Sequence, residues 1–110
     1  MEFTFNGWGL KFASDLDNRI TRHAVEAEVL KGHYVNRLGF VLEGGSIESD
    51  GMGTLLTTSE CLLSPNRNGQ KNKVEIEEYL KSVFQVRQIL WLDDGYLAGD
   101  DTDSHIDTLA

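Results

Sequence analysis

The sequence predicts a mixed fold of the α/β or α+β class, because strand patterns and helix patterns follow one another along the chain. Short apolar or alternating runs predict strands near residues 3–5, 38–42, 54–58 and 89–92. Apolar residues spaced three and four apart predict two helices, one in each half of the chain. With 110 residues, 40% of them hydrophobic, the chain has the size and composition of one domain.

In the first half, Phe3 and Phe5 alternate with polar neighbours and predict a short strand. Ser14 is suited to cap the helix that follows, and Gly32 is suited to end it. The apolar stripe of this helix consists of Leu16, Ile20, Ala24, Ala27 and Leu30. Residues 38–42 then form the apolar run of a buried strand, which ends at Glu43 and two glycines.

In the second half, residues 46–58 predict a β-hairpin around the glycine-containing turn at 50–53. Residues 59–63 fit no single element, and the polar segment 64–69 predicts a loop. A second helix begins near Asn72, where Glu75 completes a capping box. Its apolar face consists of Ile76, Leu80, Val83 and Phe84. Residues 89–92 predict another buried strand.

The formal net charge is −8. Such a chain repels phosphate backbones and anionic lipids, so we expect neither nucleic acid nor a membrane as partner and favour a small cation. The single cysteine, Cys61, allows no internal disulfide, and the N-terminus lacks a signal-peptide pattern. We therefore expect a cytoplasmic protein. Because the chain ends on a half-buried segment, we also expect residues 1–110 to be one part of a larger domain.

Glu43 is a candidate functional residue because it follows an apolar strand and precedes Gly44 and Gly45. The glycines permit a sharp turn and the close approach of a ligand. A partly desolvated carboxylate at this position would seek a cation. The same pattern also fits an ordinary acidic residue in a turn.

The spacing of His105 and Asp107 places both on one face of an extended segment, with Ile106 facing the core. A histidine beside a carboxylate can act as a general acid–base near neutral pH. A solvated polar loop explains the same residues. Metal binding is a further alternative, because alternate positions carry oxygen or imidazole ligands: Asp101, Asp103, His105 and Asp107.

Two other residues have both a functional and a structural interpretation. Trp8, among glycines, could form the aromatic wall of a pocket or could belong to the core. Cys61 could be a nucleophile, but no histidine lies near it in the sequence, so a small buried thiol is favoured.

Five stretches together resemble the agmatine deiminase and bacterial-type peptidylarginine deiminase family. They are residues 5–9 (FNGWG), 42–47 (LEGGSI), 53–58 (GTLLTT), 61–68 (CLLSPNRN) and 99–107 (GDDTDSHID). Order and spacing match over nearly the whole chain, and the ordered set is far more specific than any one stretch. The resemblance implies a five-module propeller of ββαβ units, the pentein type, around a central active site. This chain would be its middle portion, about one module and parts of its neighbours.

The resemblance also implies an activity. The family hydrolyses the guanidinium group of agmatine or arginine-like compounds to a ureido product and ammonia, through a cysteine covalent intermediate and without a metal or organic cofactor. By motif, Glu43 would be a guanidinium-binding carboxylate, His105 the proton relay and Asp107 a second carboxylate. Trp8 and Asp101 are further candidate substrate contacts.

The sequence departs from the family pattern in ways that bear on function. Cys61 does not occupy the motif of the family's nucleophile, which lies near the C-terminus of the full enzyme, so we expect the isolated chain to be inactive. Ser104 stands where glycine is frequent, and Glu48 where agmatine-specific members often have histidine. The substrate therefore stays open among agmatine, arginine and peptidyl-arginine.

Unpaired strand edges and exposed module faces predict that the chain self-associates. A non-catalytic module that binds a cationic ligand is one alternative function. A metal-dependent hydrolase that uses the aspartates and the histidine is the other.

Overall fold

A computed structural model describes residues 1–95, 98–100 and 102–109. Strands and helices alternate along it, which confirms the predicted mixed α/β class. They are β1 (Glu2–Thr4), α1 (Gly7–Leu10), α2 (Asp17–Glu26), β2 (Asn36–Val41), the 3₁₀ turn η1 (Gly44–Ser46), β3 (Ile47–Ser49), β4 (Thr54–Thr58), α3 (Ser59–Leu62), α4 (Pro65–Asn68), α5 (Lys73–Phe84), β5 (Gln88–Leu92) and α6 (Ile106–Leu109). Within this described part, no helix has the length and apolar character needed to cross a membrane.

The strands form two sheets. β1 pairs in parallel with β2, while β3, β4 and β5 form a second sheet with β4 in the middle. β3 and β4 are antiparallel and are joined by the predicted hairpin turn, and β5 runs parallel to β4. A parallel neighbour needs a crossover connection, which here contains α5. β3, β4, α5 and β5 therefore make one ββαβ unit.

The core packs this second sheet against α5, and aromatic rings join it to the first sheet. Phe40 of β2 stacks on Tyr79 of α5 with ring centroids 4.2 Å apart, and Phe3 of β1 stacks on Phe84 at 5.8 Å. The buried cluster consists of Phe40, Leu42, Leu55, Cys61, Leu62, Ile76, Leu80 and Ile89.

Helix α5 begins as predicted, with a capping box. The Asn72 side chain accepts a hydrogen bond from the Glu75 amide at 2.9 Å, and the Glu75 side chain accepts one from the Asn72 amide at 3.3 Å. These bonds satisfy backbone donors that have no partner inside the helix. Ile76 and Leu80 are fully buried, which confirms the inward face.

The start of helix α2 differs from the prediction. The helix begins at Asp17 without a side-chain cap, because the Ser14 hydroxyl donates instead to the Phe5 carbonyl at 2.9 Å. The predicted apolar stripe is largely exposed: Leu16 is 68% and Ile20 63% accessible. The stripe is helical in period, but the described residues leave most of it uncovered.

The end of α2 also differs from the prediction. The helix ends at Glu26 rather than near Gly32, because Glu28 adopts a left-handed φ of 59°. The Glu28 amide donates to the Val25 carbonyl at 3.1 Å, and the next amide donates to the Ala24 carbonyl at 2.9 Å. This is a Schellman motif closed without glycine.

Two other segments correct the sequence prediction. Residues 64–69 are not a loop, because Ser64 caps the short helix α4 and Pro65 occupies its first turn, where no amide is needed. Strand β5 is buried on one face only, with Ile89 6% and Leu90 50% exposed. The undecided residues 59–63 contain α3, which Thr58 caps.

Candidate functional site

A cleft of about 470 Å³ opens beside the end of β2. It is lined by Phe5, Trp8, Leu42, Glu43, Gly44, Gly45, Thr102, His105, Asp107 and Thr108. The structure thus brings together four of the five site residues that the sequence predicts, from three distant parts of the chain. The fifth, Asp101, lies outside the described residues.

Glu43 is buried in the floor of this cleft, with 5% of its surface exposed. Its Oε2 accepts a hydrogen bond from Arg67 Nη2 at 3.0 Å and pairs with Nε2 of His105. Its Oε1 is buried without a hydrogen-bond partner among the described residues. Burial alone would raise the pKa of Glu43, but the hydrogen bonds from His105 and Arg67 outweigh burial and hold the pKa below its ordinary value. Glu43 is therefore an ionised buried carboxylate with one oxygen uncommitted.

The cation that stabilises Glu43 is the guanidinium group of Arg67. The sequence did not predict this residue as part of the site. The Arg67 side chain is fully buried, and besides Glu43 it donates to Asp103 Oδ2 at 2.8 Å and to the Thr102 carbonyl at 3.1 Å. An arginine in a polar segment normally indicates exposure. The available signal was the Ser-Pro pair that starts α4, which would have predicted a helix there.

Helix α4 is held in place by asparagine side chains. Asn68 donates to the Val41 carbonyl at 2.7 Å and accepts from the Val41 amide at 3.0 Å, which fixes α4 to the end of β2. Asn6 donates to the Asn66 carbonyl at 2.6 Å and accepts from the Gly9 amide at 3.0 Å. Arg67, between these anchors, is thereby aimed at Glu43.

His105 and Asp107 do not lie in an extended segment as predicted. Asp107 is in the first turn of α6, and His105 immediately precedes this helix. Their side chains still converge, because both approach Gly45: a Cβ at that position would lie 2.5 Å from Asp107 Oδ2 and 2.7 Å from His105 Nδ1. Ile106 is buried between them at 1% exposure, as predicted. Packing of a helical turn on a glycine, rather than strand alternation, brings the two residues together.

The loop before His105 is organised by Asp100. Its two carboxylate oxygens accept hydrogen bonds from the amides of Thr102 and Ser104 at 2.8 and 2.9 Å. Asp103 and Ser104 both have a φ of 61°, the left-handed region that favours glycine. The Ser104 carbonyl accepts from the Thr58 hydroxyl at 2.7 Å, which ties this loop to the central strand.

Trp8 belongs to an unusual turn. The φ angles of Gly7, Trp8, Gly9 and Leu10 are 68°, 58°, 81° and 69°, so α1 is a single left-handed helical turn. The left-handed helical conformation is less favourable than the right-handed one by about 1–2 kcal/mol for each non-glycine residue. Trp8 is 38% exposed and packs edge-to-face against two neighbouring phenylalanine rings. It is an aromatic wall of the cleft and not a core residue.

Cys61 is completely buried, and burial raises the pKa of its thiol to about 12. A thiol with this pKa is almost entirely protonated at neutral pH and is a poor nucleophile. The predicted small buried thiol is confirmed.

The sequence matches the Porphyromonas-type peptidyl-arginine deiminase family over residues 1–110. The chain belongs to this family. The agmatine deiminase of Stutzerimonas stutzeri is 43% identical over 112 residues, which cover 97% of this chain and 30% of that protein. The family resemblance drawn from the sequence is confirmed.

Solved structures of agmatine deiminases have the same fold over this region. A substrate-bound cysteine-to-serine variant from C. jejuni is 49% identical with a TM-score of 0.86, covering 98% of this chain and 32% of that one. The enzyme of Enterococcus faecalis is 40% identical with a TM-score of 0.77, covering 94% of this chain and 29% of that one. The chain thus spans about a third of the length of these deiminases.

The carboxylates of this deiminase-family chain are arranged for N–H donors. Asp103 pairs with Lys11 at 2.6 Å in addition to Arg67. Within residues 1–95, 98–100 and 102–109, no group of three or more histidine, cysteine, aspartate and glutamate side chains is placed to hold a metal ion. Asp101, part of the metal alternative, lies outside these ranges. An imidazole, two carboxylates and an aromatic ring on one cleft suit a flat organic cation.

We predict that Gly45→Ala disrupts the site, because the new methyl group overlaps His105 and Asp107. The expected loss is about 1–3 kcal/mol of unfolding free energy, measured by urea denaturation. Gly44→Ala is the matched control, because a Cβ at Gly44 has no heavy atom within 4 Å. Equal losses in the two variants would contradict the packing described.

A second prediction concerns Glu43 and pH. Because the folded-state pKa of Glu43 is lowered, its stabilisation is fully present above the ordinary pKa of 4.5 and is lost as the pH falls through the lowered value. Glu43→Gln should therefore reduce the free energy of unfolding by about 3 kcal/mol at pH 7, since Arg67 loses a buried counter-ion. The difference from the wild type should shrink below the ordinary pKa.

Urea unfolding at several pH values measures this difference. Glu48→Gln is the control, because it removes the same charge from an exposed position. A Glu43→Gln effect that stays constant down to acid unfolding would contradict the assignment.

Proposed function

We propose that this chain carries the guanidinium-binding and proton-relay part of a deiminase. The complete enzyme converts agmatine or an arginine-like guanidinium group to a ureido product and ammonia through a cysteine covalent intermediate. The observation that carries the proposal is Glu43: a buried, ionised carboxylate with one uncommitted oxygen, on a cleft shared with His105, Asp107 and Trp8. The agmatine deiminase relatives support the same reaction class.

The two carboxylates would bind the substrate cation. A guanidinium group is planar, always charged and rich in N–H donors, so carboxylates bind it with both directionality and charge. In our proposal Oε1 of Glu43 accepts from one substrate nitrogen and Asp107, which is exposed, accepts from another. Holding the group from two sides orients its carbon for attack.

His105 would move the protons. A thiolate attacks the guanidinium carbon, and the departing nitrogen takes a proton from the imidazole as ammonia leaves. Water, losing a proton to the same imidazole, then displaces the sulfur and leaves the ureido oxygen. The pairing of His105 Nε2 with Glu43 supports this role, because it fixes the orientation of the imidazole ring beside the carboxylate proposed to bind the substrate.

Trp8 would form the wall against which the rest of the substrate lies. Its ring, with Phe5 and Leu42, gives the cleft an apolar part of its lining. Such a surface suits methylene groups between the guanidinium group and the far end of the substrate.

The nucleophile must come from outside these 110 residues. Cys61 is the only cysteine of the sequence, and its buried thiol cannot serve. We also propose that the complete fold is the five-module propeller of the family. The ββαβ unit formed by β3, β4, α5 and β5 supports this, as one repeat of such a propeller.

The test measures hydrolysis of agmatine and of arginine. The readouts are the ammonia released and the ureido product formed. We expect none from the isolated chain. We expect turnover by the complete enzyme, a fall of at least 100-fold in kcat with His105→Ala, and activity retained with Cys61→Ala. Ureido product from the isolated chain, or inactivation by Cys61→Ala with the fold intact, would overturn the assignment.

A cation-binding module without catalysis is the second candidate, favoured by the inert thiol of Cys61. Calorimetric titration of the complete protein with agmatine separates the two. Binding without product would establish the module, whereas turnover would establish the deiminase.

We further propose that the isolated chain self-associates with a second copy. Large apolar side chains are exposed around α1 and α2: Leu10, Phe12, Leu16, Ile20, Val29 and Leu30. Surfaces of this kind are seldom left open to water. Sedimentation velocity should show a weight-average mass that rises with concentration, and Ile20→Lys should reduce the rise. A single monomeric species at every concentration would contradict self-association.

A further inference from the structure

We propose that Arg67 is a positioning residue of the deiminase site, holding Glu43 and the Trp8 turn in their working arrangement. This inference rests on the proposed function. It assigns a role to a residue that does not line the cleft described above and that the sequence motifs did not indicate as a site residue.

The first argument is the way in which Arg67 is held. Its Nη2 donates to Glu43 Oε2 and to the Thr102 carbonyl, and its Nη1 donates to Asp103 Oδ2 and lies 3.5 Å from the Cys61 carbonyl. A fully buried guanidinium group is unfavourable unless it is paired and hydrogen-bonded. Here it joins the residue after β2, helix α3, Thr102 and Asp103 at one point.

The second argument concerns the two oxygens of Glu43. Arg67 and His105 both use Oε2, and Oε1 is left without a partner among the described residues. Arg67 and His105 therefore hold one oxygen of the carboxylate, and the other oxygen stays unpaired within the described part of the chain. Without Arg67, the pairing with His105 would be the one remaining described contact that distinguishes the two oxygens.

The third argument connects Arg67 to the aromatic wall. A Cβ at Gly9 would lie 2.6 Å from Asp103 Oδ2 and 3.5 Å from Arg67 Nη1, so the left-handed turn rests directly on this ion pair. Lys11, just after the turn, also pairs with Asp103. Arg67 thus positions Trp8 through Asp103, as it positions Glu43 directly.

The charge of Arg67 also keeps Glu43 ionised when buried. Among the described residues, Arg67 and His105 pair with Glu43, Asp107 lies on the same cleft, the Cys61 thiol is nearby and Asp103 pairs with Arg67. An opposite charge within about 4–6 Å lowers the pKa of a carboxyl group by about 1–3. Removal of Arg67 should therefore raise the pKa of Glu43.

The test measures kcat and KM for agmatine against pH in the complete enzyme. For Arg67→Gln we expect kcat/KM to fall at least 100-fold. We also expect the acid limb, the low-pH side of the pH profile of kcat/KM, to move to higher pH by about one unit. Arg67→Lys keeps the positive charge but loses the planar set of guanidinium N–H donors. For this variant we expect the acid limb near the wild-type position and kcat reduced about tenfold.

Asp103→Asn provides a variant that keeps the Arg67–Glu43 pair. It should raise KM through the loosened Trp8 turn and leave the acid limb in place. Arg22→Gln is the matched control, because it removes a positive charge from an exposed salt bridge on α2 and should change neither parameter. Acid limbs that coincide in all variants would reduce Arg67 to a structural residue and overturn the proposal.

A second readout does not depend on activity. Carboxyl ¹³C titration of the glutamate-labelled complete enzyme, with the Glu43 signal assigned by Glu43→Gln, should show a higher pKa for Glu43 in Arg67→Gln than in the wild type. An unchanged pKa would overturn the role of Arg67 even if the enzyme turns over agmatine. A wild-type enzyme that releases no ureido product, with the expected pKa change, would instead refute the proposed function alone.

Discussion

The site depends on one requirement: Glu43 must stay charged where water cannot solvate it. Three neighbouring features serve that requirement. Helix α4 delivers the guanidinium group of Arg67, the turn before α6 delivers the imidazole of His105, and Gly45 leaves the space into which that turn packs. A carboxylate with these partners keeps its negative charge despite burial. Its remaining oxygen is a strong acceptor because nothing in the described chain satisfies it.

The central strand β4 couples the two halves of the site. The Thr57 hydroxyl donates to the Ser46 carbonyl at 2.7 Å, next to the Glu43 turn, and the Thr58 hydroxyl donates to the Ser104 carbonyl at 2.7 Å, next to His105. These adjacent residues point to opposite sides of the strand. One strand end therefore fixes two loops that are about sixty positions apart in sequence, and a shift of its register would move both.

The sequence predicted the features that local chemistry determines. The capping box at Asn72, the hairpin turn and the mixed fold class depend on neighbouring residues only, and they were found. The family motifs indicated Glu43 and His105 as candidate site residues, but not their geometry, because the left-handed backbone before His105 replaces an extended segment. Arg67 was missed because its burial depends on partners far away in the chain. Likewise the apolar stripe of α2 showed the correct period, but whether another surface covers it is not a local property.

The buried thiol of Cys61 has a consequence beyond the chemistry of the site. It is the single cysteine of the chain, it has no accessible surface, and its carbonyl lies beside the Arg67 guanidinium group. An alkylating reagent can reach the sulfur only after α3 separates from the core. The rate of labelling therefore reports how often this region opens. The chain therefore contains its own reporter of local unfolding, placed directly beneath the ion pair that holds the cleft together.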